Sequence, residues 1–320
     1  MRRIRTRKRS GISGAVVINK PPGITSHDVV AEVRKILMTH QVGHLGTLDP
    51  IATGVLPLLV GRATRLAQFY GVRRKRYEGS IRFGFATNTY DADGTPLGED
   101  RRPALSREQL QPLFEEFTGC FEQMPPPFSA KKIRGVPAHE LARQHKPVEL
   151  KPVQVEVYEF RLLEAAGCEA RFTIECSPGT YIRSLAHDLG QKLGCGAHLA
   201  RIVRTASGEF TLDQATTIEE LRAKALAGDP SRCLIPVEKL LADLPHVMVN
   251  PLVERKIKHG ASFEINPAMI HAGESLGDLD REGWKPSRLR IFNQSRHLVA
   301  IGQAIVPRVY RSVVVLEPAS

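Results

Sequence analysis

The sequence predicts an α+β fold: a mostly antiparallel sheet carrying helices, followed by a small all-β appendage. Three observations predict it. Up to about residue 244, strand-like and helix-like runs alternate, but the strands fall in hairpin-like pairs without the regular spacing of a doubly wound sheet. From about residue 245 the texture changes to short strand-like pieces separated by Gly and Pro. The chain of 320 residues, 42% hydrophobic and 25% charged, can bury a sizeable core without metal or disulfide staples.

The elements follow in order. Ala15-Val16-Val17-Ile18-Asn19 is a buried-strand run ended by the turn cluster Lys20-Pro21-Pro22-Gly23. Ser26 is the expected cap of a helix over 27–39, whose Val29, Val30, Val33, Ile36 and Leu37 share a face. Residues 43–54 read as an irregular loop punctuated by Gly43, Gly46, Pro50 and Gly54, with a short apolar run at 56–60, a helix at 63–70 and a strand at 77–85. Asp91-Ala92-Asp93-Gly94 is a turn. Ser106 and Gln109 form a capping box opening a helix to about 117. The prolines between Met124 and Lys132 exclude regular structure, and a short helix at 137–145 follows. Residues 124–150 are therefore a basic excursion from the core, either a surface insertion or a lid over a ligand. Strands are expected at 152–163 and 169–176, and a helix at 180–193 after Ser177-Pro178-Gly179. Thr217 and Glu220 form a second capping box for a helix to about 226. The appendage strands fall at 247–249, 262–265, 288–292, 297–306 and 309–316.

Charge narrows the partners. The net charge is +11, from 45 basic and 34 acidic residues, and Arg2, Arg3, Arg5, Arg7, Lys8 and Arg9 supply more than half of it. Residues 1–13 read as a basic, disordered arm, either a passive tail or a tether to a polyanion. Further clusters at Arg73-Arg74-Lys75-Arg76, Lys131-Lys132 with Arg134, and Arg143 with Lys146 favour nucleic acid, because cations that neutralise phosphates release counterions. The five cysteines are odd in number, scattered and without C-x-x-C, a reducing-compartment pattern. No apolar run approaches the ~20 residues of a membrane span, and no secretory signal core is present. A cytoplasmic protein with no membrane contact is expected. P-loop, G-x-G-x-x-G, H-E-x-x-H and G-x-S-x-G signatures are absent. Cys195 and His198 have C-x-x-H spacing near His187, but no second pair completes a ligand set, so no metal is expected. His198 and Cys195 read as helix-end and core residues.

One string demands a chemical reading: Gly43-His44-Leu45-Gly46-Thr47-Leu48-Asp49-Pro50-Ile51-Ala52-Thr53-Gly54-Val55-Leu56-Pro57. It sets a carboxylate in a rigid loop among glycines and apolar residues, with Pro50 biasing Asp49 toward an extended backbone. The string resembles the catalytic motif of the TruB family, tRNA pseudouridine synthases that modify the T-arm uridine. The resemblance spans about residues 14–240 and recurs in order along the chain. Ile18-Asn19-Lys20-Pro21-Pro22-Gly23 is similar to the family's first motif, and Arg76-Tyr77 to the motif with the active-site tyrosine. Thr87-Asn88-Thr89-Tyr90-Asp91-Ala92-Asp93-Gly94 is similar to its acidic loop, and Pro126-Pro127-Phe128-Ser129-Ala130-Lys131-Lys132 to the base of its RNA-gripping insertion. Cys176-Ser177-Pro178-Gly179-Thr180-Tyr181-Ile182-Arg183 is similar to the motif with the active-site arginine.

The resemblance implies roles. Asp49 matches the catalytic aspartate, Tyr77 the tyrosine that stacks on the target base, and Arg183 the arginine paired with the aspartate. His44 matches a histidine that inserts into the T-loop; Lys20, Asp91 and Tyr181 match supporting positions; Lys131 and Lys132 match RNA contacts. Ile202 stands where the family has a pocket leucine, but Val203 replaces the first of the two arginines that usually follow; Arg204 keeps the second. Residues 14–244 would then be the catalytic domain, with 124–150 its RNA-gripping insertion. Arg290-Ile291-Phe292-Asn293 and the run from His297 to Ala304 resemble a PUA-type RNA-binding domain, which would make 245–320 a small PUA-like barrel directed to the acceptor stem. No cofactor is implied, and the expected partner is tRNA, bound by a monomer without obligate protein partners.

The chemistry suits these residue types. Pseudouridine forms when the N1–C1′ bond of uridine breaks, the uracil turns, and C5 rejoins C1′. Breaking a glycosidic bond builds positive charge on the sugar or demands covalent capture, and a carboxylate serves either route. Burial would raise its pKa; an adjoining guanidinium, protonated at every working pH, opposes that. An aromatic shelf retains the detached base, and the nucleotide must first be flipped out of its loop. Two rival readings remain at this level: an RNA-folding scaffold with a vestigial pocket, and a related synthase acting on another RNA or within a guide-RNA particle.

Overall fold

The computed structural model describes residues 11–128, 132–133, 136–137, 150–273 and 287–316, with 132–133 and 136–137 as backbone alone. Residues 1–10 of the basic arm, Lys131, the side chain of Lys132 and nearly all of the helix expected at 137–145 lie outside the described residues.

The first sheet is built from Gly14–Lys20 (β1), Val42–His44 (β2), Thr53–Val60 (β3), Lys75–Phe83 (β4), Gly119–Gln123 (β5), Val153–Ala166 (β6), Glu169–Cys176 (β7) and Ala197–Ser207 (β8), with shorter pieces at its margin. Its order runs Ala215–Thr216, β1, β3, β8, β4, β7, β6, β5. The neighbours are antiparallel except at two short contacts, Ala215–Thr216 with β1 and β8 with β3. The helices are Ser26–Ile36 (α1), Arg107–Glu116 (α2), Ile182–Lys192 (α3) and Ile218–Leu226 (α4).

Sequence texture and burial agree strand by strand. β1 and β3 are nearly continuous apolar runs because both of their faces are covered. Val16, Ile18, Leu56 and Leu58 join the core beneath α1 and α3, while Ala15, Val17, Val55 and Leu59 join a second core on the other face. β4 and β7 alternate because one face is wet: Tyr77, Ile81, Phe83, Phe172 and Ile174 are buried, and Arg76, Glu78 and Arg171 are exposed.

Both expected capping boxes form. Ser106 accepts from the Gln109 amide while the Gln109 side chain accepts from the Ser106 amide at 2.9 Å, and Thr217 does the same with Glu220. Ser106→Ala is expected to cost about 1 kcal/mol in denaturant unfolding while leaving activity unchanged. A midpoint that does not move would show that α2 is held by its Phe114–Phe160 packing alone.

Four expectations need correction. The cap of α1 is Thr25, which accepts from the Asp28 amide at 3.1 Å. Ser26 is buried instead, and its hydroxyl accepts from Leu48 N at 2.8 Å and faces Leu48 O at 3.1 Å. The helix expected at 63–70 is a 3-10 helix, Gly61–Phe69. Residues 197–207, which gave no strand signal, form the central strand β8. Bulges at Leu199/Arg201 and Arg204/Ala206 break its alternation, and a buried arginine disguises it. His198 is buried within this strand, with Nδ1 3.1 Å from Phe85 O. Finally, the appendage is not all strand: Pro251–Lys258 (α5) is a helix capped by Asn250.

The appendage sheet comprises His246–Met248 (β9), Phe263–Glu264 (β10), Arg288–Phe292 (β11), Leu298–Val306 (β12) and Val309–Val315 (β13), in the order β9-β11-β12-β13-β10. It is a curled half-barrel. Phe292, Leu298, Ile301 and Val314 pack into the same core as Val17, Leu59, Leu66 and Leu241. Buried Arg290 ties it down further, donating to Leu244 O at 3.1 Å and Ala242 O at 3.2 Å.

Candidate active site

The loop between β2 and β3 is held from below by Arg204. This fully buried side chain donates Nε to Val55 O at 2.7 Å, Nη2 to Gly46 O at 3.1 Å and Nη1 to Thr47 O at 3.3 Å. Gly54 permits the approach: its φ is +94°, and a Cβ there would lie 2.3 Å from Arg204 O. Ser26 grips Leu48 on one side of Asp49. On the other side Pro50 O accepts from Gly23 N at 2.9 Å and from Lys20 Nζ at 3.2 Å. The backbone on both sides of Asp49 is thereby pinned.

Arg183 meets Asp49 from the first turn of α3. Its Nη2 donates to Asp49 Oδ1 at 3.0 Å, and its Nε lies 2.9 Å from Oδ2 as an ion-pair contact that is not aligned as a hydrogen bond. Nη2 also donates to Phe128 O, and Nη1 to Thr89 O, both at 3.0 Å, with Asp91 Oδ2 3.5 Å from Nη1. The exposures differ in a telling way: the Arg183 and Asp91 side chains are 6% and 7% exposed, but Asp49 is 43% exposed. The guanidinium is enclosed, and one of its carboxylates faces outward. Gln123 sets the start of α3, accepting from Tyr181 N at 2.8 Å and donating to Tyr181 O at 3.0 Å.

These groups surround a cleft of about 250 Å³ lined by Asp49, Lys75, Tyr77, Tyr181, Arg183 and Ile202 among others. That is just below the range of about 300–1,000 Å³ that takes drug-sized ligands. Burial pushes the Tyr77 phenol up to about 12 against the pull of Arg204, so it keeps its proton at neutral pH. Burial raises Asp91, opposed by the Thr89 hydroxyl, 2.6 Å from its Oδ1, and by Arg183. Lys20 falls to about 8, chiefly through burial, with Asp49 opposing the shift. His44 is lowered by burial and then by the charges of His27 and Arg204.

The structure therefore gathers Asp49, Tyr77, Arg183, Tyr181 and Ile202 in one cleft, with Lys20 and Asp91 behind it. His44 is not part of the cleft wall. It sits at the end of β2, edge-on to His27 at 5.4 Å, with Nδ1 accepting from Gly46 N at 3.3 Å. Val203 faces the opposite side of the sheet, in a groove with Glu78, Arg171 and Arg201, so the missing arginine leaves the cleft unaltered. Sequence reasoning missed Ser26, Gln123 and Lys75 as parts of the site, and the fastening role of Arg204. Lys75 was legible, because two residues before Tyr77 on a strand is the same face. Among the described residues no cluster of three or more His, Cys, Asp or Glu could hold a metal ion, and no helix is long and apolar enough to cross a membrane.

Known proteins share this architecture. The model of the TruB family pseudouridylate synthase N-terminal domain matches residues 34–182, and that of the tRNA pseudouridylate synthase B C-terminal domain matches residues 183–242. A protein of Solibacter usitatus (strain Ellin6076) named tRNA pseudouridine synthase B is 47% identical over 95% of this chain and 100% of its own length. One of the same name from Geobacillus kaustophilus (strain HTA426) is 40% identical over 81% of this chain and 93% of its own. Among solved structures, a Cbf5-Nop10-Gar1 complex is similar with a TM-score of 0.69 and 28% identity, covering 95% of this chain and 85% of that one. An H/ACA RNP bound to a substrate RNA containing 2′-deoxyuridine gives a TM-score of 0.70 and 26% identity over the same shares. Fold and site together define an RNA-modifying isomerase. The chain belongs to the TruB family of pseudouridylate synthases.

Proposed function

We propose that this enzyme isomerises uridine 55 in the T-loop of tRNA to pseudouridine, acting as a free-standing cytoplasmic protein. The observation that carries the reading is the Asp49–Arg183 ion pair at the mouth of a cleft bordered by Tyr77. The enclosed guanidinium pairs with a carboxylate that faces the incoming nucleotide. The sequence motifs and the tRNA-named relatives supply the substrate.

In this reading Asp49 and Tyr77 are the catalytic groups and Arg183 holds Asp49 for the reaction. Breaking N1–C1′ puts positive charge on C1′, which the Asp49 carboxylate offsets. The freed uracil turns against the Tyr77 ring and the Ile202 and Tyr181 walls, C5 bonds to C1′, the C5 proton leaves and N1 gains one. Atoms and electrons balance within the nucleotide, so the isomerisation consumes no oxidant or group donor. His44, held uncharged by burial, fills the stack that the everted nucleotide leaves. Lys20 and Asp91 hold the loop and the guanidinium, Lys131 and Lys132 grip the RNA, and the appendage from 245 meets the acceptor stem.

Purified protein incubated with an unmodified tRNA transcript, without guide RNA or partner protein, is expected to give a carbodiimide-dependent reverse-transcription stop marking position 55. A stop elsewhere would overturn the site assignment. Conversion only with an added guide RNA would move the chain to the guided class, and no conversion under any condition would leave the scaffold reading.

A further inference from the structure

Among the described residues four cations stand around the cleft, and three are spoken for. Arg183 has two carboxylates and two carbonyls, Arg204 has three carbonyls, and Lys20 donates to Pro21 O at 2.8 Å and Pro50 O at 3.2 Å. Lys75 differs. It opens β4, lines the cleft on the same face as Tyr77, and is partly buried. Its Nζ lies against Gly46, where a Cβ would be 3.0 Å away, and Arg204 is beside it. Among the described residues, no carboxylate or carbonyl pairs with it.

An ammonium taken partly out of water beside a guanidinium, with no counter-charge, is a cost without a structural return. Its pKa is accordingly lowered to about 8, by burial first and Arg204 second. Perturbed cations of this kind collect where a ligand supplies the missing charge. The substrate of the proposed reaction brings one: a nucleotide turned into the cleft carries a phosphodiester on each side.

We propose that Lys75 is a phosphate-binding residue of this site, its ammonium pairing with a phosphodiester that flanks the everted uridine. The inference rests on the uridine-isomerase reading, and it adds a contact to the RNA backbone that neither the base-stacking nor the carboxylate chemistry provides. A lysine suits the task as a compact charge that needs no fork geometry.

The test compares the unchanged protein, Lys75→Gln and Lys75→Arg, each binding a synthetic T-arm stem–loop over a range of salt. Lys75→Gln is expected to bind about tenfold more weakly at low salt and to flatten the log–log salt slope by about 0.7–0.9, the loss of one phosphate contact. Lys75→Arg is expected to keep both. On a stem–loop carrying neutral methylphosphonate linkages on both sides of the target uridine, the Lys75→Gln penalty is expected to vanish. A Lys75→Gln slope equal to that of the unchanged protein overturns the inference. So does a penalty that persists in full on the neutral linkages, which would assign Lys75 to the uracil oxygens.

A pH series keeps the test decisive should Lys75→Gln fold poorly. As pH rises from 7 to 9 the lysine loses its proton and the arginine does not, so the affinity of the unchanged protein relative to Lys75→Arg is expected to fall. The groups facing Lys75 do not imitate this. Tyr77 on β4 and Cys176 on β7 are pushed to about 12 and about 11, and Arg204 on β8 is common to both proteins. Lys20, behind the cleft, falls to about 8 but is common to both proteins and cancels in the ratio. A ratio that stays constant overturns the inference. Failure of the unchanged protein to convert uridine would sink the functional reading instead, and the two failures are read from separate measurements.

Discussion

Asp49→Asn is expected to bind tRNA within a few-fold of the unchanged protein and to convert at least about 10⁴-fold less of it per unit time, the scale on which neutralising one working carboxylate acts. The amide matches the carboxylate in shape and keeps an oxygen for Arg183 Nη2, now 3.0 Å from Oδ1. What it removes is the negative charge that faces the cleft. Arg183 stays buried with Asp91 3.5 Å away and the carbonyls of Thr89 and Phe128 in place, so the pocket keeps its shape. Single-turnover conversion of an unmodified transcript, run beside a filter-binding titration, separates the two effects. A residual rate within tenfold of the unchanged protein would remove Asp49 from the chemistry. Weak binding with intact single-turnover conversion would make it an RNA contact.

Arg204→Met carries the second large effect, on stability and activity together. Methionine fills much of the same volume but donates nothing, so Val55 O, Gly46 O and Thr47 O lose the guanidinium that satisfies them. Buried acceptors left without donors cost about 1–3 kcal/mol each, and some regain water at the cleft, so a loss on the order of 3 kcal/mol is expected. The same carbonyls fix the loop that presents Asp49, so kcat is expected to fall more than KM rises. Denaturant unfolding and steady-state kinetics measure the two sides. An unchanged melting profile with a normal kcat would show that Ser26, Gly23 and Lys20 hold the loop without help. A stability loss with a normal kcat would confine Arg204 to the fold.

The contrast between α1 and α2 shows where local reading ends. The box at Ser106 and Gln109 is an exchange between residues three apart, so nothing distant can overrule it. At the start of α1, Thr25 and Ser26 are both competent caps, and the choice is made by Leu48, 22 residues away, which claims the Ser26 hydroxyl. β8 fails for a similar reason. A strand holding Arg201 and Arg204 looks half-solvated until the carbonyls that absorb Arg204, some 150 positions earlier, are in place. α5 lay hidden in a segment whose Gly and Pro spacing resembled strand punctuation, although Asn250-Pro251 is a sound helix start.

By itself, the amino-acid order determined the alternation of strands and helices, the antiparallel character of the main sheet, the change of texture near residue 245 and, through its motifs, the residues worth watching. Those properties rest on neighbours within a few positions or on strings long enough to compare whole. Only the tertiary structure decided how Asp49 and Arg183, 134 residues apart, meet, that Val203 faces away from the cleft, and that Lys75 stands in it with no paired carboxylate or carbonyl among the described residues. Pairing, facing and burial depend on which distant carbonyls and carboxylates the fold delivers to a side chain, and no local stretch of sequence holds that information.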